Sequence, residues 1–191
     1  MLRTNQPFLN YLEKLYLDQK HQENIILQSF EKGEKLLTQG ETSDKIMLIK
    51  SGITKCFFLE ETKEEYIVEF LGKGEILGEI EMMKNVPCIC SIESITEVTV
   101  FTITIPYFQA LIKNDLNLNN LLLDVFAERI VNTSNRSSYQ QLHATEHTLS
   151  QLLDLKAKEM KISKEDMASY LGTNIRSLNK AIRDYEKKKM I

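Results

Sequence analysis

Short apolar runs separated by glycine-containing turns fill the first half of the chain. Six of the seven glycines lie between Gly33 and Gly78, and the apolar runs around them have the length of strands. Short strands separated by turn residues indicate an antiparallel sandwich or barrel. The predicted strands are Ile25–Phe30, Ile46–Lys50, Ile53–Leu59, Tyr66–Leu71 and Ile92–Ile105.

Apolar residues at helical spacing flank this β-rich region. A short helix is predicted between Phe8 and Tyr16, and a long one over about 106–142, since Pro106 suits the first turn of a helix. The apolar stripe of the long helix needs a partner, which is either its own domain or its copy in a homodimer. The residues predicted for the dimer helix are Leu118, Leu122, Val125, Phe126 and Ile130.

The remainder of the chain reads as helical, so the fold class predicted is α+β. A helix is expected over Glu146–Glu159, carrying Leu149, Leu152, Leu153 and Met160. We therefore expect two domains, a β-rich domain at 1–142 that includes the long helix, and a helical domain at 143–191.

Two helices joined by a tight turn are predicted after Ser163. Ser163 and Asp166 have the spacing of a capping box, and Met167, Ala168 and Leu171 give the first helix an apolar face. Gly172 suits the left-handed conformation that ends a helix, and Asn174 can cap the next one. This arrangement matches the helix-turn-helix pattern.

The second of these helices separates apolar from basic residues. An inward face is predicted at Ile175, Leu178, Ile182 and Tyr185. Residues 161–191 carry eight lysines and arginines against four acidic residues, whereas 1–160 carry 16 basic and 23 acidic residues. A basic segment on an acidic body indicates a polyanionic partner, and a major groove accepts one helix. The predicted DNA contacts are Arg176, Ser177, Asn179, Lys180 and Arg183.

In order and spacing, these parts resemble the Crp/Fnr superfamily of transcription regulators over nearly the whole chain. The resemblance rests on Gly33, Gly40 and Gly52 of the turns, on Leu77–Glu81, and on Asp166–Asn174 with the helix that follows. The Gly-Glu-Ile-Glu stretch is most similar to the YeiL-type branch. The resemblance implies a cyclic-nucleotide-binding-like antiparallel β-roll, a dimerisation helix and a winged helix-turn-helix.

The effector pocket that this resemblance implies departs from the nucleotide-binding pattern. Members that bind a cyclic nucleotide follow their Gly-Glu pair with an Arg-Ser pair that clamps the phosphate. Here the matching stretch is Pro87–Ser91, and no arginine or lysine occurs between Lys84 and Lys113. Cysteine or isoleucine cannot replace the bidentate grip of a guanidinium, so cAMP binding in the usual mode is not expected. The pocket residues implied are Gly78, Glu79, Cys88, Ile89, Cys90 and Ser91.

Three cysteines and three histidines do not make a recognisable metal site. Iron–sulfur members of the superfamily carry three clustered cysteines near the N-terminus, whereas no cysteine precedes Cys56. Cys88 and Cys90 are expected to diverge along a strand or loop, as buried apolar residues rather than a redox pair, and Glu79 and Glu81 to lie on opposite faces of a strand. His143 and His147 are interpreted as solvated.

The recognition helix and the chain end also depart from the family. Where many members have Arg-Glu-Thr, the glutamate position is Arg176, and the later arginine position is Lys180. The preferred operator is therefore expected to differ from that of the best-known members. The β-wing of the family is not recognisable after Lys187–Ile191, and truncation of the sequence is the favoured explanation.

These patterns favour a homodimeric regulator that binds palindromic DNA under the control of an unidentified effector. RNA polymerase is a further partner implied by the resemblance. The alternative is a ligand-sensing module that acts through protein–protein contacts. An enzyme is not expected, because G-x-S-x-G, Gly-Lys-Ser/Thr and H-E-x-x-H motifs are absent. A cytoplasmic location without membrane association is expected, since the chain has neither a secretory signal nor a long apolar run.

Overall fold

The computed structural model describes residues 2–18, 23–61, 64–142, 146–157 and 162–189. Side chains are described over the same ranges except 135–142, 146–147, 155–157 and 188–189. Contacts divide the chain into two compact units, Leu2–Leu123 and Asp124–Ile191. The domain boundary predicted between residues 142 and 143 stays a prediction.

Among the described residues of the first unit, nine strands form two sheets. One sheet has the order β1-β6-β5-β8-β3, and the other has the order β2-β9-β4-β7. The pairing is antiparallel throughout, apart from the short parallel pair of β1 with β6. The predicted antiparallel β-fold is confirmed. The strands are β1 Leu2–Arg3, β2 Ile25–Phe30, β3 Lys35–Leu37, β4 Lys45–Ser51, β5 Thr54–Leu59, β6 Glu65–Leu71, β7 Ile76–Leu77, β8 Ser91–Ser94 and β9 Val98–Thr104.

The predicted strand Ile92–Ile105 is wrong in one respect, because it is two strands in different sheets. β8 pairs with β5 and β3, whereas β9 pairs with β2 and β4. The crossover between them is held by hydrogen bonds to Ile53. Its amide donates to Thr96 Oγ1 at 2.9 Å, and its carbonyl accepts from the amides of Ile95 and Thr96 at 2.9 and 3.4 Å. A continuous apolar pattern cannot reveal such a crossover, since strands of both sheets face the same core.

Apolar side chains from both sheets meet in one core. Leu37 and Ile92 from one sheet pack in the same cluster as Met47, Ile49 and Val100 from the other. The outer face of the β9–β4 sheet is covered by helices, and the Tyr16 and Phe101 rings lie 5.3 Å apart there. Burial on both faces explains why Ile46–Ile49 is apolar without alternation.

Seven helices complete the described residues. The first begins after Asn5, whose Oδ1 accepts a hydrogen bond from the Phe8 amide at 2.9 Å, and it confirms the predicted N-terminal helix. The helix predicted over Glu146–Glu159 ends at Ala157 among the described residues, and Met160 lies outside them. The helices are α1 Gln6–Leu17, α2 Glu79–Lys84, α3 Ile105–Asn114, α4 Leu116–Leu142, α5 Glu146–Ala157, α6 Lys164–Tyr170 and α7 Ile175–Lys189.

The single long helix predicted over 106–142 is two helices with a break at Asp115. Asp115 Oδ1 accepts hydrogen bonds from the amides of Asn117 and Leu118, at 2.8 and 3.2 Å. The other carboxylate oxygen accepts from the Tyr11 hydroxyl at 2.5 Å. The hydrogen bond from Tyr11 lowers the pKa of the Asp115 carboxyl, and its bonds to the Leu118 and Asn117 amides act in the same direction. Asp115 thus starts α4 and ties it to α1.

Most of the apolar stripe of α4 that was predicted to form the dimer is buried within the chain itself. Leu118, Leu122 and Val125 are almost fully buried, so their side chains are not available to a partner. Phe126 is half-buried and Ile130 is 68% exposed, so both remain available. This corrects the prediction for the three buried residues. Helical periodicity identified an apolar face without showing which of the two possible partners covers it.

A second apolar stripe of α4 remains in solvent. Leu116, Leu123 and Ile130 recur every seven residues and are 71%, 57% and 68% exposed. A seven-residue repeat is the spacing of a coiled-coil seam. The exposed stripe therefore has the periodicity that a helix–helix interface requires.

Removing the Asp115 side chain is expected to destabilise the first unit. Asp115→Ala should lower the free energy of unfolding by about 1 kcal/mol, the usual cost of losing a helix cap. Because folding lowers the pKa of Asp115, its charge-dependent stabilisation is present above the unfolded pKa of about 3.9 and is lost as the pH falls through the lower folded pKa. Urea unfolding at several pH values measures both effects.

Asp115→Asn and Tyr11→Phe are the matched controls. Asparagine retains the cap without charge, so its difference from the wild type should shrink below pH about 4. Tyr11→Phe removes one hydrogen bond and leaves the cap intact. A difference between wild type and Asp115→Asn that is the same at acid and neutral pH would contradict the role of the Asp115 charge.

Candidate nucleic-acid interface and effector pocket

The turn between α6 and α7 has the predicted capping chemistry. Ser163 Oγ accepts a hydrogen bond from the Asp166 amide at 2.9 Å and donates one to Asp166 Oδ2 at 2.7 Å. Gly172 has a φ of +61°, the left-handed region that glycine enters without strain. Asn174 Oδ1 then accepts from the Ser177 amide at 2.9 Å and starts α7. Both helices are therefore fixed at their N-termini by side chains that the sequence pattern identified.

Helix α7 is anchored by its apolar side to the rest of the second unit. Leu178 is fully buried, and Tyr185 is half-buried with its hydroxyl 2.9 Å from Ser150 Oγ of α5. Ile182 is half-buried, whereas Ile175 is 41% exposed. The inward face predicted for α7 is correct for Leu178, Ile182 and Tyr185 and wrong for Ile175. The first turn of α7 lies at the edge of the unit, which leaves that side chain in solvent.

The five predicted DNA contacts share the outer side of α7. Four of these side chains are exposed, and the fifth, Asn179, is half-buried and accepts a hydrogen bond from Lys164 Nζ of α6 at 2.9 Å. Their positions on one helix follow from spacings of three and four residues. The exposed members are Arg176, Ser177, Lys180 and Arg183.

An open concavity runs along this side of α7. Four residues of its lining were not among the predicted contacts: Ile175 and Ile182, which were expected inside, Glu186, and Lys164 of the preceding helix. The bond between Lys164 and Asn179 brings a further cation to the face. Ile175 could have been identified as exposed from its position in the first turn of the second helix. The lining consists of Lys164, Ile175, Arg176, Asn179, Ile182, Arg183 and Glu186.

One of the residues predicted for the effector pocket, Glu79, begins a short helix rather than lying on a strand. Gly78 is followed directly by α2, which begins at Glu79, so the expectation that Glu79 and Glu81 lie on opposite faces of a strand is wrong. Glu79 is only 2% exposed. Glu81 Oε1 accepts a hydrogen bond from the Ile89 amide at 3.1 Å. The carboxylate of Glu81 therefore ties α2 to the loop that matches the phosphate clamp of nucleotide-binding members.

Residues 88–91 of this loop are fixed by hydrogen bonds to the turn at Gly40. The Cys88 amide donates to the Glu41 carbonyl, and the Cys88 carbonyl accepts from the Gly40 amide, both at 2.8 Å. Ser91 is buried, and its Oγ accepts from the Gln39 amide at 3.0 Å. Cys88 and Ser91 are thus held by hydrogen bonds to the segment Gln39–Glu41. No cationic side chain is among the predicted pocket residues.

The thiols of the pocket do not diverge as expected. Cys88 and Cys90 lie on either side of exposed Ile89, and both pack against the core cluster shared by the two sheets. Ile89 and Cys90 lie in a bend rather than in a strand, so strand alternation does not set the directions of these side chains. Cys56 packs against the same cluster from β5, and its Sγ lies 2.8 Å from that of Cys90.

None of the six residues predicted for the effector pocket carries a positive charge. Burial raises the pKa of the Cys88 thiol, and the nearby Glu81 carboxylate acts in the same direction. Across the part of the chain that the structure describes, no three His, Cys, Asp or Glu side chains are grouped as metal ligands would be. A cyclic phosphate would meet apolar side chains and thiols where it requires a guanidinium.

Comparisons with known proteins agree with this geometry. Residues 27–115 match the cyclic nucleotide-binding domain family. A CRP-like cAMP-activated global transcriptional regulator of Mycobacterium tuberculosis is 23% identical over 168 residues, which cover 82% of this chain and 75% of the relative. The chain is therefore similar to CRP-like transcriptional regulators over most of its length, and residues 27–115 are similar to cyclic nucleotide-binding domains.

Solved structures of Crp/Fnr type share the fold. The c-di-GMP-responsive global regulator CLP of Xanthomonas campestris superposes with a TM-score of 0.76 at 13% identity, covering 94% of this chain and 92% of CLP. A Crp/Fnr regulator structure from Eubacterium rectale gives 0.74 at 17% identity, covering 96% and 89%. The YeiL-type branch within the family stays a prediction. None of the helices in the described ranges is long and apolar enough to cross a membrane.

Loss of the Ser163 cap is expected to loosen the helix-turn-helix. Ser163→Ala should reduce the local stability of α6 by about 1 kcal/mol. Backbone amides of α6 that exchange through local opening should then exchange about fivefold faster, since 1.4 kcal/mol corresponds to a factor of ten. Hydrogen exchange read by mass spectrometry measures this directly.

Ser163→Thr is the matched control, because threonine retains the capping hydroxyl. Exchange of α6 in this variant should stay close to that of the wild type. If the alanine and threonine variants exchange at the same rate, the hydroxyl of Ser163 does not stabilise α6.

Proposed function

We propose that this chain is a homodimeric transcription regulator that binds DNA through α7 and responds to an effector other than cAMP. The observation that carries the proposal is the exposed cationic side of α7, opposite buried Leu178. Capping at Ser163 and Asn174 fixes the two helices of the motif relative to their turn. A helix presented in this way fits the major groove of duplex DNA.

Different residues of α7 are assigned to different parts of the duplex. Arg176 and Lys180 lie in the first turns, where side chains of a recognition helix reach base edges, with Asn179 beside them. Ser177 and Arg183 are assigned to phosphates. Exposed Ile175 suits an apolar contact with a thymine methyl group. The operator should therefore differ from that of relatives with arginine and glutamate in the first turn.

A homodimer is proposed through the exposed stripe of α4 rather than through its buried side. Leu116, Leu123 and Ile130 supply one apolar contact every two turns, and half-buried Phe126 borders the same stripe. Burial of three such side chains against their copies contributes about 1.5–3 kcal/mol each. Two recognition helices presented by such a dimer would meet successive major grooves about 34 Å apart.

The β-fold is proposed to bias the dimer between two arrangements. An effector shifts such an equilibrium only as far as it binds one arrangement more tightly than the other. A dimer arrangement that places its two α7 helices about 34 Å apart would bind DNA, whereas an arrangement with another separation would not. RNA polymerase and a small-molecule effector complete the proposed partners, and both follow from the family resemblance.

Substitution of Arg176 is expected to weaken sequence-specific binding. Arg176→Ala and Lys180→Ala should each cost about 1–3 kcal/mol, roughly fivefold to over a hundredfold in Kd. Arg183→Ala should weaken binding to all sequences similarly and reduce the salt slope by about 1. Mobility shifts on fragments selected from genomic DNA, repeated at several salt concentrations, provide these values.

Lys113→Ala is the charge-matched control, because Lys113 is exposed on α3 in the first unit. It should leave both affinity and salt slope unchanged. Binding that survives substitution of both Arg176 and Lys180 would remove α7 from the groove. A partner bound with almost no salt dependence would instead favour the protein-contact module.

The exposed stripe of α4 is tested by Leu123→Glu. A carboxylate at the centre of an apolar seam should shift the dimer to monomer, because two glutamates would face each other in the interface. Sedimentation velocity at micromolar concentration measures the change in mass. Leu17→Glu is the control, since Leu17 of α1 is 75% exposed and lies outside α4. An unaltered dimer in Leu123→Glu would exclude this stripe as the interface.

A further inference from the structure

Two thiols from distant parts of the sequence lie side by side in the first unit. Cys56 Sγ and Cys90 Sγ are 2.8 Å apart, although 34 positions separate the residues. Both side chains are half-buried. A disulfide requires its sulfurs at about 2.0 Å, so the remaining approach is less than 1 Å.

Strand register produces this juxtaposition. β5 pairs with β8 so that Cys56 lies opposite Ile92, and Cys90 precedes Ile92 by two residues. Cys90 lies in the bend directly before β8, so its thiol comes beside Cys56 next to the end of the β5–β8 pairing. A bulge between Cys56 and Phe57, in the pairing of β5 with β6, lies at the same point.

The third thiol is close by but differs in its chemistry. Cys88 is 4% exposed, and its backbone is held in both directions by the Gly40–Glu41 turn. Its raised pKa, caused by burial and by the Glu81 carboxylate, keeps it in the thiol form. Because the thiolate is the reacting species, Cys88 should react more slowly than a cysteine with an ordinary pKa.

We propose that Cys56 and Cys90 form a redox site that a hydroperoxide oxidises to an intrachain disulfide. The site is distinct from the DNA-contacting side of α7, since both cysteines belong to the first unit. Oxidation of Cys90 would also let the loop respond to a signal without binding a phosphate.

The oxidation proceeds in two balanced steps. One of the two sulfurs, as thiolate, attacks a peroxide oxygen, the O–O bond breaks, and a sulfenic acid forms while hydroxide or an alkoxide leaves. The sulfur of the other cysteine then attacks the sulfenic sulfur, the S–O bond breaks, and the S–S bond forms with loss of water. With hydrogen peroxide, two thiols and one peroxide give one disulfide and two waters.

The bond would fix the pocket loop to the sheet. Cys90 follows Ile89, whose amide already bonds to Glu81 of α2, and Cys56 belongs to a central part of the β5 strand. Oxidation would therefore add a covalent tie between β5 and the loop that borders α2. Reduction by a small dithiol would restore the separate thiols.

Non-reducing peptide mapping of the full chain after hydrogen peroxide treatment tests the site. Three alkylated cysteines per chain in the reduced protein should fall to one, with Cys88 the residue still alkylated and a Cys56–Cys90 linked peptide present. Dithiothreitol should restore all three. The map is made without DNA, so its failure is distinguishable from failure of the proposed DNA binding.

Matched variants separate the pair from general thiol oxidation. Cys88→Ala should form the disulfide as the wild type does, whereas Cys56→Ala and Cys90→Ala should form none and instead accumulate a sulfenic acid trapped by dimedone. Circular dichroism of the reduced variants shows that they are folded. A linkage through Cys88, a linkage between chains, or three thiols that remain alkylatable under peroxide would each overturn the proposal.

Discussion

The need to cover two apolar stripes on one helix governs much of this structure. The interior of a single chain takes up Leu118, Leu122 and Val125 of α4, and leaves a second stripe with a seven-residue repeat in solvent. Exposed apolar side chains at that spacing favour association with an identical helix, because pairing buries their surface without a change of fold. Asp115 fixes where α4 begins, and so which residues face each way. The proposed distance between two recognition helices rests on this division of one helix into two faces.

The β-fold retains the architecture of a cyclic nucleotide-binding domain while its pocket has a different chemistry. Gly78 and buried Glu79 are present, yet the loop that matches the phosphate clamp contributes Cys88, Ile89 and Cys90. A sheet core tolerates such replacement, since backbone hydrogen bonds hold the loop irrespective of its side chains. The fold alone therefore does not identify a ligand, because one architecture can carry sites of different chemistry.

Local patterns in the sequence predicted the parts of the structure that local physics determines. Capping at Ser163 and Asn174 and strand β2 follow from neighbouring residues. Features that depend on distant partners could not be predicted in this way. The crossover after β8, the meeting of Cys56 with Cys90, and the choice of which α4 stripe is buried all depend on tertiary packing. Exposed Ile175 belongs to the same group, since an apolar residue at helical spacing was assigned to the interior by default.

The central claim is that two copies of the chain present two α7 helices to one face of duplex DNA. Hydroxyl-radical footprinting of the full chain on a selected genomic fragment tests it most directly. The account predicts two protected regions related by two-fold symmetry, with centres about one helical turn, roughly 10 base pairs, apart. A single protected region, or protection without symmetry, would contradict the claim that a dimer binds DNA through two α7 helices.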